Sequence, residues 1–176
     1  GSEGIVFMLD KIHAHNKFKW INPVHEILIP TSAELGKILT LPQIQLNHKA
    51  DTTKPRTSYL PLLELAVKEN PENDRNMHYL GREYMFHNQF DKAIEILNKH
   101  LTLQTATWAD ERCASLRYIA NCYKHKKDRK NQEKYLFLAI LENKNLREPY
   151  LEIAIMYYNR KNYLKAAIYF EEMLKI

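Results

Sequence analysis

The sequence predicts a mainly helical fold, an array of helix–turn–helix repeats preceded by a short strand-rich segment. Three observations carry this expectation. The 176 residues include only four glycines but eleven tyrosines, a composition that suits packed helices better than a glycine-rich phosphate loop. The stretches YLGREYMF from Tyr79, YIANCYKH from Tyr118 and EIAIMYYN from Glu152 share one skeleton. Residues 3–50, by contrast, alternate short apolar runs (GIVFML, EILIP, QIQLNH) with Asn, Pro, Thr and Lys, as short strands and loops do.

In the shared skeleton, Leu80-Gly81-x-x-Tyr84, Ile119-Ala120-x-x-Tyr123 and Ile153-Ala154-x-x-Tyr157 put a small residue where two helices touch. An aromatic three positions on fills the groove beside it. Phe90 with Ala93 and Leu97, and Tyr163 with Ala166 and Phe170, mark the second helix of the first and third units. Gly81 and Ala120 are 39 residues apart, and Ala120 and Ala154 are 34 apart. The five extra residues fall near LTLQTATWAD and predict an irregular turn there.

Upstream, YLPLLELAVKENP reads as a second helix without a first: Tyr59, Leu63 and Ala66 stand 34 residues before Ala93, Leu97 and His100, and Pro71 closes it. The expected layout is a front segment (3–50), a linker (51–58), a half unit (59–71) and units at about 74–107, 113–146 and 147–176.

This pattern resembles the tetratricopeptide repeat, with its 34-residue period and its W-x2-L-G-x2-Y signature. The second unit departs from it, carrying Arg129 and Gln132 where an aromatic and an alanine are usual. The front segment resembles the C-terminal end of a bacterial family-2-like glycosyltransferase with a GT-A fold followed by such repeats. The residues that carry this resemblance are WINPVHEILIP (Trp20–Pro30) and the spaced His48, Asp51 and Lys54.

The resemblance implies a closing strand of a catalytic sheet, with Trp20, His25 and Glu26 at the nucleotide-sugar donor site. It also implies His25 as a candidate metal ligand, and a divalent Mn or Mg ion in the full-length enzyme. The paired aspartates and the catalytic base of that family are not in this sequence, so the piece itself is expected to be inactive. The Gly-Ser start reads as the scar of a cleaved tag, which fits an excised piece. The alternative is a stand-alone tetratricopeptide scaffold that binds a protein and has no enzymatic link.

In such an array the first helices line a concave groove. Outward positions are Arg75, His78, Arg82 and Met85 in the first unit, and Arg117, Asn121, Lys124 and His125 in the second. The third offers Leu151, Ile155 and Tyr158. A groove running from basic to apolar suits a peptide, protein or glycan acceptor with acidic groups.

The net charge of +5 is mild, and the basic run KHKKDRK (Lys124–Lys130) falls at a turn without interleaved aromatics, so nucleic acid is not the expected partner. No apolar run approaches the roughly 20 residues of a membrane span. The only cysteines, Cys113 and Cys122, sit nine apart on one expected helix and point to a reducing, cytoplasmic setting rather than a disulfide.

Overall fold

The computed structural model describes residues 15–32, 39, 41, 43, 44 and 59–176. The expectations placed on GIVFML, on most of QIQLNH and on His48, Asp51 and Lys54 lie outside the described residues. The chain divides into two units, Gly1–Thr57 and Ser58–Ile176.

In the first unit, β1 (Phe18–Ile21) and β2 (Ile27–Pro30) pair antiparallel, with Phe18 opposite Pro30 and Ile21 opposite Ile27. WINPVHEILIP is therefore not one closing strand. It is the tip of a hairpin, whose loop runs from Asn22 to Glu26. The chain reverses there because Asn22 and His25 take left-handed backbone conformations, at φ 69° and 56°, which Asn and His tolerate better than most residues. Between them Val24 is buried and anchors the loop. Below the strands, the Thr31 N–H donates to the Lys17 carbonyl at 2.9 Å.

The second unit consists of seven helices: α1 (Tyr59–Glu69), α2 (Asp74–Phe86), α3 (Phe90–Thr102), α4 (Ala109–His125), α5 (Arg129–Glu142), α6 (Arg147–Asn159) and α7 (Tyr163–Leu174). The fold is the mainly helical repeat array that the sequence predicts. Helices α2 and α3, α4 and α5, and α6 and α7 form hairpins through three-residue turns.

Each of these turns has the same geometry. The central residues Asn88, Lys127 and Lys161 have φ of 58°, 59° and 60°. The next N–H, of Gln89, Asp128 or Asn162, reaches back to the carbonyl of Tyr84, Tyr123 or Tyr157 at 2.9, 2.9 and 3.0 Å. The central N–H bonds to Met85, Lys124 or Tyr158. This is the Schellman arrangement, which satisfies carbonyls that a helix end otherwise leaves orphaned. The tyrosine of the repeated skeleton thus supplies both a packing ring and the carbonyl that closes the helix. Asp128 and Asn162 then cap the following helices, accepting from Asn131 N and Lys165 N at 3.0 and 3.2 Å.

Helix α4 has 17 residues where α2 and α6 have 13. It starts at Ala109 rather than at the expected 113, so most of the insertion is an additional helical turn. Arg112, on that turn, pins the preceding loop by donating to the Leu101 and Ala106 carbonyls at 2.9 and 3.3 Å, and its Nε meets Glu142 Oε1 at 2.6 Å.

The core runs along the repeat positions. Gly81, Ala120 and Ala154 are buried, and so are Leu97 and Leu136 of the facing helices. Ala120, Leu136, Ile153, Met156, Tyr157 and Ala166 form one apolar cluster, with Phe170 against it, while Cys113, Leu116 and Ala139 form another. Burial pushes both cysteine thiols up to about 11, so they are packed thiols and not nucleophiles at neutral pH.

Candidate functional site

The repeats fold α4 and α6 side by side with the start of α5 behind them, leaving a cleft of about 540 Å³. Helix α4 contributes Arg117, Tyr118, Asn121 and Lys124, and the turn and first half of α5 contribute Lys127, Arg129, Gln132 and Leu136. Helix α6 contributes Glu152, Ile155, Met156 and Asn159, and Arg160 follows it. Of the groove residues expected from the sequence, the structure thus brings together Arg117, Asn121, Lys124 and Ile155.

The charges of this cleft are unevenly spent. Glu152, its one lining carboxylate, is held by Arg117, whose Nε donates to Glu152 Oε1 at 2.8 Å. Arg160 is also engaged, donating to Glu133 Oε2 at 2.6 Å, Gln132 Oε1 at 3.3 Å and the Arg129 carbonyl at 3.0 Å. Lys124, Lys127 and Arg129 are exposed and have no ion-pair partner among the described residues. The cleft therefore has a cationic end at the α4–α5 turn, an apolar floor of Leu136, Ile155 and Met156, and the amides of Asn121, Gln132 and Asn159 on its walls. Such a surface attracts carboxylates by charge and can hydrogen-bond an extended backbone.

The remaining expected groove residues lie elsewhere. Leu151 and Tyr158 are exposed on α6 but do not line the cleft, and the Tyr158 ring meets Tyr163 edge-on at 5.5 Å. His125 stacks on Phe90 at 4.9 Å. Arg75 and Arg82 flank the Tyr79 ring, with guanidinium carbons 5.1 and 4.5 Å from its centroid. His78 and Met85, expected to face outward, are buried.

His78 turns inward because a buried polar partner awaits it. Its Nδ1 lies 2.8 Å from Ser115 Oγ, which in turn lies 3.0 Å from His100 Nδ1. On its far side His100 Nε2 lies 3.4 Å from Glu111 Oε1. Burial pushes the His78 imidazole down to about 4, with His100, Arg82 and Arg75 adding to the effect and Glu111 opposing it. Burial acts to raise the Glu111 carboxyl, but the His100 imidazole 3.4 Å away leads the effects that hold it below the usual range.

A serine, two histidines and a glutamate in a row resemble a hydrolytic constellation in composition only. Ser115 is completely buried, so no substrate carbonyl can reach it, and the network holds α2, α3 and α4 together instead. Sequence reasoning missed this network, although His100 in a position matched by Ala66 and Ala139 was a legible signal of a polar core.

In the first unit Trp20 is exposed on β1, while His25 and Glu26 belong to the hairpin loop. The φ of His25 gives it a turn-forming role that a strand residue would not have. Among the described residues no three His, Cys, Asp or Glu side chains converge on a possible metal site. No described helix is long and apolar enough to cross a membrane.

No family model and no curated protein matches the chain by sequence. Solved structures do match its fold. A crystal structure of MamA superposes with a TM-score of 0.55 at 20% identity, covering 66% of each chain. Residues 41 to the end of MamA from Desulfovibrio magneticus RS-1 give 0.57 at 13% identity, covering 68% of this chain and 66% of that one. PilF of Pseudomonas aeruginosa gives 0.57 at 17% identity, covering 65% of this chain and 50% of that one. The chain thus spans only half the length of PilF. Likeness at these identities shows the fold, which is a tetratricopeptide-like superhelix.

Proposed function

We propose that residues 59–176 form a protein-interaction scaffold, and that the cleft between α4 and α6 receives an extended acidic segment of a protein partner. One observation carries this reading: Lys124, Lys127 and Arg129 gather at one end of the cleft without counter-charges among the described residues, whereas its lining carboxylate is already held by Arg117. The apolar floor and amide walls suit a polypeptide better than a compact inorganic anion. The test is fluorescence anisotropy with a labelled glutamate-rich peptide and a glutamine-rich control. Lys124→Ala/Lys127→Ala should weaken acidic binding by tenfold or more. Equal affinity for the two peptides, or no loss in the double variant, would refute the reading.

The second reading, in which residues 3–50 end a nucleotide-sugar-dependent glycosyltransferase, draws its support from the WINPVHEILIP motif and the spaced His48, Asp51 and Lys54. In it the cleft would hold the acceptor or a partner protein, and a divalent ion would come from parts of the enzyme beyond these residues. Its test is sugar transfer by the full-length protein with His25→Ala, expected to fall about tenfold without a change in melting temperature. Because His25 forms the hairpin turn, a drop in melting temperature would instead identify it as structural.

A further inference from the structure

A second depression, of about 510 Å³, lies beside the cleft and is lined by Arg129, Lys130, Glu133, Lys134, Phe137 and Arg160. Arg129 and Arg160 line both. The two hollows are therefore neighbours across a ridge of two guanidinium groups, at the edge where the α4–α5 and α6–α7 turns stack.

The electrostatics of the outer hollow repeat those of the cleft. Its one carboxylate, Glu133, accepts from Arg160 Nη1 and from Tyr157 Oη, both at 2.6 Å, and is thereby occupied. Lys130 and Lys134 are exposed and have no ion-pair partner among the described residues. Asp128, which lines neither hollow, accepts from the Asn131 backbone N–H and side-chain amide at 3.0 and 2.7 Å, and the Lys130 charge acts on its carboxylate as well. Of the acidic groups along this edge, Glu133 is compensated by Arg160, whereas Asp128 keeps its charge beside Lys130. Against that one carboxylate stand Lys124, Lys127 and Arg129 on the cleft side and Lys130 and Lys134 on the outer side, so the net charge along the ridge is positive.

We infer that the cleft and the outer hollow form one continuous track, so that the partner is an acidic polypeptide segment that leaves the cleft over Arg129 and Arg160 and continues along α5. This inference rests on the cleft reading and specifies its partner: a segment with two separated acidic clusters, not a single terminal carboxylate. The basic run KHKKDRK then serves as the track itself. Lys124, Lys127 and Arg129 face the cleft, and Arg129 and Lys130 face the outer hollow, while Lys126 is paired with Asp91. Polypeptide is favoured over single-stranded nucleic acid because Tyr118 and Phe137 are the only aromatic rings among the lining residues, too few to make a stacking platform.

The experiment compares a four-residue and a twelve-residue labelled polyglutamate peptide, about 14 Å and about 40 Å when extended, on the full chain. Lys130→Ala/Lys134→Ala should weaken the long peptide fivefold or more and leave the short one unchanged, because both lysines are exposed and outside the cleft. Lys124→Ala/Lys127→Ala should weaken both peptides. If the outer variant binds the long peptide as the parent does, the track is refuted while the cleft reading stands. If neither peptide binds the parent protein, both fall. If a twelve-nucleotide single-stranded DNA binds more tightly than the long peptide and responds to both variants, the polypeptide assignment is overturned.

Discussion

Gly81 lies directly against Leu97: a Cβ built on the glycine would fall 2.5 Å from Leu97 Cγ and 2.6 Å from Cδ2. Non-bonded carbons do not approach so closely, and Leu97 is fully buried, so it can yield only by displacing its packed neighbours. The first repeat therefore depends on a missing methyl group.

Gly81→Ala should destabilise the chain by about 1–3 kcal/mol, even though alanine is the better helix former. The check is a double-mutant cycle with Leu97→Ala by urea unfolding. Removing the leucine should abolish the cost of Gly81→Ala, giving a coupling of about the same size. Additive effects would mean that the two residues do not meet.

The repeated turns permit a prediction of opposite sign. Asn88 tolerates its left-handed backbone, but Lys127 and Lys161 have a Cβ that crowds the carbonyl at φ 59° and 60°. Lys127→Gly and Lys161→Gly should each stabilise the fold, by about 1 kcal/mol at most once glycine's greater freedom in the unfolded chain is subtracted. Thermal melts of the single variants check this. A fall in melting temperature would show that the lysine side chains contribute more than their backbones cost.

These turns also show what a sequence can reveal. The small and aromatic positions recur at a fixed spacing because packing between helices demands them, so Gly81, Ala120 and Ala154, with the tyrosines beyond them, were legible and the repeat architecture followed. The hairpin at Trp20–Pro30 was partly legible: Asn22-Pro23 is a turn dipeptide, but the apolar residues around it suggest a continuous strand, and the second left-handed residue, His25, carries no turn signal of its own. The cleft was half legible. Helical spacing identified Arg117, Asn121, Lys124 and Ile155, but Lys127, Arg129 and Arg160 reach it from turns and helix ends that face-counting does not cover. His78 was misplaced for a different reason. Its spacing matches that of Arg117 and Leu151, and only the three-dimensional meeting of α2, α3 and α4 brings Ser115 and His100 within reach of its ring.

That meeting makes stability depend on pH. The folded His78 value of about 4 lies below the ordinary 6.5, so between these values the unfolded chain binds more protons than the folded one. The stabilisation is complete above about pH 6.5 and is lost as the pH falls toward 4, a difference of about 3 kcal/mol. Among the neighbouring groups, Arg75, Arg82 and His100 oppose protonation of His78, and Glu111 favours it. The depressed Glu111 carboxyl acts in the same direction at still lower pH, because its stabilisation also disappears on acidification. Urea midpoints measured from pH 7.5 to 4.5 should fall steeply in the parent and less so in His78→Asn, which keeps a polar atom near Ser115. Parallel curves would remove His78 as the cause.

Within the cleft, Glu152 sets a limit on affinity. Its carboxylate occupies Arg117 through Nε at 2.8 Å, so an incoming acidic segment meets both a cation already in use and a like charge beside it. Glu152→Gln retains the shape and an acceptor oxygen for Arg117 but removes that repulsion. At a separation of about 6 Å and an effective dielectric of about 40, one unit charge is worth about 1.4 kcal/mol, a factor of ten in affinity. Salt screens much of this at a partly open site, so a gain of threefold to tenfold for the glutamate-rich peptide is expected at low ionic strength, shrinking as salt rises. The Arg117–Glu152 pair also joins α4 to α6 near the surface, where such pairs contribute at most about 1 kcal/mol, so the melting temperature should move by no more than about 4 °C. Weaker peptide binding in Glu152→Gln would reverse the assignment, making Glu152 the residue that holds Arg117 ready for the partner instead of one that competes with it.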